Sequence, residues 1–155
     1  MVSLKRKQSG FTIVELLIVI IVIGILAALV LVTFTGVQQK ARNTERVTDV
    51  KGVASHLEVY NAQQGYYPTA TNLNTAAFIS GQLKGLDPGA TCDPHDTNVA
   101  TPPCTFSGTG STSQKFGYVP LPAACDNTAG NECTSFTLSY TEEGGVQKSI
   151  NSLSN

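Results

Sequence analysis

At 155 residues, with ten basic and eleven acidic side chains and a formal net charge of −1, the chain has room for one ordinary domain. It lacks the basic excess that nucleic-acid backbones attract, so a nucleic-acid partner has no charge argument in its favour. No nucleophile with its base, phosphate loop or dinucleotide motif stands in it, so the reading is of a protein that is not an enzyme and carries no cofactor.

The first ten residues hold Lys5, Arg6 and Lys7 and no acid, and they end in Gly10. From Phe11 to Phe34 the sequence is apolar except for Thr12, Glu15 and Thr33. As a helix this stretch would measure about 36 Å, enough to cross a hydrocarbon core of about 30 Å. Positive charge ahead of it keeps that end cytoplasmic and sends the remainder across. Glu15 is the anomaly, because a carboxylate at mid-bilayer costs about 2.5 to 3.5 kcal/mol.

After Phe34 the pattern becomes amphipathic, with Val37, Ala41, Val47, Val50, Ala54, Leu57 and Asn61 mostly three or four apart. The charged residues between them, Arg42, Glu45, Arg46 and Asp49 included, read as a solvated face, with Arg42 and Glu45 or Arg46 and Asp49 as favourable pairs and Glu45 with Asp49 as an unfavourable one. No proline interrupts the chain between Phe11 and Tyr67, so one helix is expected from the apolar run to about Gln64. Gly24, Gly36 and Gly52 are its weak points. Gly65 suits a left-handed cap, and Pro68 prevents resumption.

Beyond Thr69 the composition turns to Thr, Ser, Asn, Gly and Pro, and residues 69–114 read as loops with a short helix around Thr75 to Leu83. Strands are expected at "KFGYVPL", Lys115 to Leu121, and "SFTLSY", Ser135 to Tyr140, with "EEGG" turning into "VQKSI". The four cysteines, Cys92, Cys104, Cys125 and Cys133, are read as two disulfides. Of three connectivities, pairing of neighbours is preferred because it closes short loops. "CDPHDT", Cys92 to Thr97, has metal-ligand residue types without zinc spacing, and no metal is assigned. "DNTAGNE", Asp126 to Glu132, is read as an Asn/Asp/Gly turn over a calcium loop, and Asp87, Asp93 and Asp96 as solvated loop charges. His56 is taken as a surface or half-buried histidine.

The segment "KRKQSGFTIVELLIVIIVIGILAALV" resembles the N-terminus of type IV pilins and the related type II secretion pseudopilins, the class III signal of prepilin-peptidase substrates. "YNAQQGYYP", Tyr60 to Pro68, is similar to the segment that ends the long helix in many of them. The resemblance implies cleavage between Gly10 and Phe11, N-methylation of Phe11, and an assembly role for Glu15 opposite the amino group that cleavage exposes. It also implies that helix flexibility, where it occurs, falls on Gly24 and Gly36. Many type IV pilins have a proline late in the apolar segment, and this chain has none there.

The fold implied is α+β and pilin-like: a long N-terminal helix packed on a small antiparallel sheet with long loops. Its parts are a cleaved leader over 1–10, a membrane or filament-core helix over 11–35, an amphipathic continuation over 36–65, and a loop-rich head over 66–155. The function implied is a structural subunit of a type IV pilus, a helical homo-oligomer. It would be served by prepilin peptidase, an assembly platform and an ATPase, held in the cytoplasmic membrane as a single-pass precursor with its C-terminus outside, and extracellular once assembled. Two alternatives stand beside it: a pseudopilin of a type II secretion or competence system, and a minor tip pilin that binds DNA or surfaces.

Overall fold

A computed structural model describes residues 10–96 and 102–154, with the backbone alone at Val32. The basic leader, Gly10 excepted, therefore lies outside the described residues, as does Thr97 of the "CDPHDT" run. The element order is α1 (Ile13–Gln64), α2 (Ala70–Leu73), α3 (Ala76–Gln82), a 3-10 turn (Pro88–Thr91), β1 (Gly117–Leu121), β2 (Ser135–Thr141) and β3 (Gln147–Asn151). By its contacts the chain divides into two units, Met1–Gln38 and Gln39–Asn155.

In the first unit α1 continues through Gly24 and Gly36. Its described large apolar side chains are uncovered, from 48% exposed at Val22 to 84% at Phe11 and Ile13. Thr33 turns its hydroxyl back onto the carbonyls of Leu29 and Val30, at 2.8 and 3.1 Å, so even this polar group is satisfied within the helix. The segment is long and apolar enough to cross a membrane.

The second unit has one core. From α1 it takes Val50, Val53, Ala54, Leu57 and Tyr60, spaced to share one helix face. The sheet is an antiparallel meander in the order β1-β2-β3. Its register aligns Tyr118 with Leu138 and Leu138 with Ile150, so residues of even number face the core. Phe136, Leu138 and Tyr140 are buried on that face, whereas Thr137 on the other side is not. This is the α+β, pilin-like arrangement of helix on antiparallel sheet.

Helix α1 ends at Gln64, where Gly65 takes φ +84°, a region costly for any residue with a Cβ. The next residues are pinned to the sheet region. Tyr67 is fully buried, its amide donates to the Cys133 carbonyl at 2.7 Å, and its ring lies 4.9 Å from that of Phe136. The Tyr118 hydroxyl donates to the Pro68 carbonyl at 2.7 Å, and burial pushes that hydroxyl's pKa up. Two disulfides, Cys92–Cys104 and Cys125–Cys133, staple the loops.

Five sequence expectations need correction. Val37 and Ala41 are exposed and do not join the buried stripe, while Val53, absent from the expected stripe, is fully buried. Arg46 is not on a solvated face: it is 1% exposed and pairs with Asp93, not with Asp49. Asp93 is accordingly no solvated loop charge, since only 3% of it is exposed, and Arg42 pairs with Glu143 instead of Glu45. The first strand begins at Gly117, because Lys115 is used earlier in a turn in which its carbonyl accepts from Thr112 at 2.9 Å.

The loop region holds more structure than its composition suggests. Thr69 caps α2 by accepting from the Asn72 amide at 3.1 Å, and Asp87 caps the 3-10 turn by accepting from the Gly89 amide at 2.9 Å. Asn74 behaves like a strand edge, accepting from the Phe106 amide at 2.6 Å and donating to its carbonyl at 3.2 Å.

Candidate functional site

The candidate site is the start of α1, where the sequence places Gly10, Phe11 and Glu15. Thr12 is the N-cap and Glu15 the third helical residue, and the two side chains serve each other's backbone. The Thr12 amide donates to Glu15 Oε2 at 3.0 Å, and the Thr12 hydroxyl donates to the same oxygen at 3.0 Å. In return the Glu15 amide donates to Thr12 Oγ1 at 3.2 Å. This is a capping box.

Two backbone donors that a helix end leaves unpaired are thereby satisfied. In apolar surroundings each would otherwise cost free energy on the scale of a lost hydrogen bond. A carboxylate in the first turn also faces the positive end of the helix dipole. The arrangement gives the acidic residue a role inside its own chain, and both bonds it accepts from Thr12 fall on one oxygen, Oε2.

The signal for this role is legible in "TIVE", Thr12 to Glu15, a Thr followed three residues later by Glu ahead of an apolar run. Sequence reasoning directed at the Phe11 amino group passed over it. Gly10 and Phe11 are both exposed, and a Cβ at Gly10 would meet nothing within 4 Å among the described residues.

The other constellations are occupied internally. The Asp126 carboxylate accepts from the Thr128 amide at 3.0 Å, the Thr128 hydroxyl at 2.7 Å and the Asn131 side chain at 3.0 Å; the Thr128 bonds, first among these, hold its pKa below the usual carboxylate range. Its lone pairs thus close the Cys125–Cys133 loop as an Asx turn. His56 is partly buried, its Nδ1 lying 2.9 Å from the Gly52 carbonyl. Among the described residues no three His, Cys, Asp or Glu side chains gather as metal ligands.

A family model described as the prokaryotic N-terminal methylation motif matches residues 5–31. The type II secretion system core protein G of Aeromonas hydrophila is 40% identical over 65 residues, covering 42% of this chain and 46% of the relative. That of Escherichia coli (strain K12) is 38% identical over 73 residues, covering 47% and 50%. That of Dickeya chrysanthemi is 36% identical over 66 residues, covering 43% of each. The chain spans about half the length of the curated relatives it matches. No solved structure matches. The methylation motif thus leads into an exposed apolar helix, and about the first half of the chain is similar to type II secretion system core proteins G.

Proposed function

We propose that this chain is a pseudopilin, a structural subunit of a type II secretion filament with no catalysis of its own. The observation that carries the reading is the methylation motif at residues 5–31, running into an apolar helix whose large apolar side chains are exposed among the described residues. The relatives named for type II secretion favour this over a surface pilus, which the N-terminal segment alone would equally allow.

The steps follow from the residues. Prepilin peptidase cuts between Gly10 and Phe11, the new Phe11 amino group is methylated, and the apolar part of α1 keeps the subunit in the cytoplasmic membrane. The C-terminal unit lies outside, where its disulfides form. Extraction by an assembly platform and ATPase then exchanges lipid contacts for contacts with other copies. A heterologous interface that repeats by rotation and rise does not close, and it yields a filament.

In that filament Glu15 faces the amino group of a neighbouring copy. A paired charge in apolar surroundings is better attested for register than for net stability, so Glu15 sets the stagger of the helices. Deleting this chain from its host should abolish protein secretion while sheared surface fibres keep their normal amount and composition. Surface fibres built mainly of this chain, with secretion intact, would overturn the pseudopilin reading in favour of the pilus.

A further inference from the structure

The reading above leaves unused a cluster of buried charges in the C-terminal unit. Arg46 on α1 is 1% exposed and carries its charge into the core's edge. Its Nε and Nη2 donate to the two carboxylate oxygens of Asp93 at 2.8 and 2.9 Å, a bidentate pair. Its Nη1 donates to Asn43 Oδ1 at 2.8 Å, and Nη1 and Nη2 lie 3.4 and 3.3 Å from Glu143 Oε1. Asn43 Oδ1 in turn accepts from the Glu143 amide at 2.9 Å, and Arg42 Nε donates to Glu143 Oε1 at 2.7 Å.

One guanidinium thus joins three segments that are distant in sequence: the helix, the residue beside Cys92, and the β2–β3 turn. Asp93 follows Cys92 directly, and Cys92 is bonded to Cys104. Next to that bridge the Cys104 amide donates to Thr91 Oγ1 at 2.7 Å. A buried bidentate pair forms only where its partners are already ordered, because desolvating both charges is costly. The 3-10 turn with its buried Thr91 holds Asp93 from the N-terminal side, and the bridge ties it from the other; without the bridge only the first restraint stays.

We propose that the Cys92–Cys104 bond is a redox-sensitive latch: oxidised, it holds Asp93 on Arg46 and through that guanidinium fixes the β2–β3 turn at Glu143; reduced, it releases the turn. In closing, the two thiols lose two protons and two electrons to the disulfide of an oxidised exchange partner, which becomes a dithiol. A dithiol reductant runs the same exchange in reverse. The second bridge, Cys125–Cys133, is not coupled this way, since its hydrogen bonds run to Tyr67 and Asn127. The inference does not rest on the filament reading, because every residue in it lies in the unit Gln39–Asn155.

Hydrogen exchange read by mass spectrometry on the full chain in detergent tests it. In the Cys92→Ser/Cys104→Ser variant, amides of the turn around Glu143 should exchange at least about tenfold faster, with those of β2 unchanged. In the Cys125→Ser/Cys133→Ser variant the turn should keep its protection. Asp93→Asn, with both bridges intact, should release the turn as the first variant does, which separates the latch from a general loss of fold. Unchanged turn protection in Asp93→Asn, or equal loss in the two bridge variants, would overturn the proposal.

Discussion

Asp49 shows how a single side chain can be placed against its own chemistry. It sits half-buried on α1, where burial first, and then the charges of Glu45, Asp87 and Asp93, raise its pKa to about 6 from an ordinary 3.8. The folded chain therefore binds this proton more tightly than the unfolded chain does, and stability should rise as pH falls from 7 toward 5. Asp49→Asn removes the charge and keeps the shape. The variant should be more stable than the parent at pH 7, by about 1 kcal/mol once solvent screening is allowed for. Below the unfolded pKa the difference should vanish. Thermal unfolding of both proteins at about pH 7.5, 6 and 3 measures this, and a constant difference across the series would refute the assigned strain. Arg46 is the opposite case. Burial alone would lower its pKa, but Asp93 and Glu143 more than offset that. Residue spacing shows part of this, since Glu45 stands four residues before Asp49 and repels it. Periodicity still assigns both side chains to water, because the loop that buries them, with Asp87 and Asp93, comes about forty residues on.

At the scale of elements, the parts with strong local signals were legible and those made by remote contacts were not. The end of α1 follows from Gly65 and Pro68 together, and the hairpin from β2 to β3 follows from "EEGG", where Gly144 and Gly145 have φ +97° and +87°. The short α2 and the 3-10 turn follow from the caps Thr69 and Asp87, whose one-residue signals disappear in a stretch rich in the same residue types. The start of β1 depends on a close approach of another kind. Gly117 lies opposite Ser139, and a Cβ on it would collide with the backbone of Gly110 and Ser111 as well as the Ser139 hydroxyl. The loop crosses the strand at the one residue without a side chain. Gly117→Ala should accordingly destabilise the C-terminal unit by about 1 to 3 kcal/mol, the usual cost of overpacking. Denaturant unfolding of the full chain in detergent checks it. A variant as stable as the parent would mean that the loop can lift away without loss.

For the whole molecule the question is whether processing and assembly depend on separate residues a few positions apart. The backbone at Gly10 is open, and a Cβ there would meet nothing within 4 Å among the described residues, so substitution at Gly10 should leave the fold intact and act only on recognition by the proposed peptidase. Gly10→Val should therefore accumulate in the membrane at full length. Glu15 lies past the proposed cut and inside the capping box with Thr12, so Glu15→Ala should still be cleaved and methylated. Losing the cap weakens the first turn by about 1 kcal/mol, which is small against a 52-residue helix, so the subunit should persist in the membrane. What it should lose is incorporation into filaments when expressed beside the parent chain. Intact mass separates these outcomes, since it reports the missing residues 1–10 and the added methyl group in the same measurement. Cross-linking of the membrane fraction then reports assembly. Trimming of Gly10→Val to the mature mass would refute the cleavage site. Normal incorporation of Glu15→Ala would restrict that carboxylate to the cap of its own helix, and the register of the filament would then have to come from the shape of the apolar surface between Phe11 and Val37.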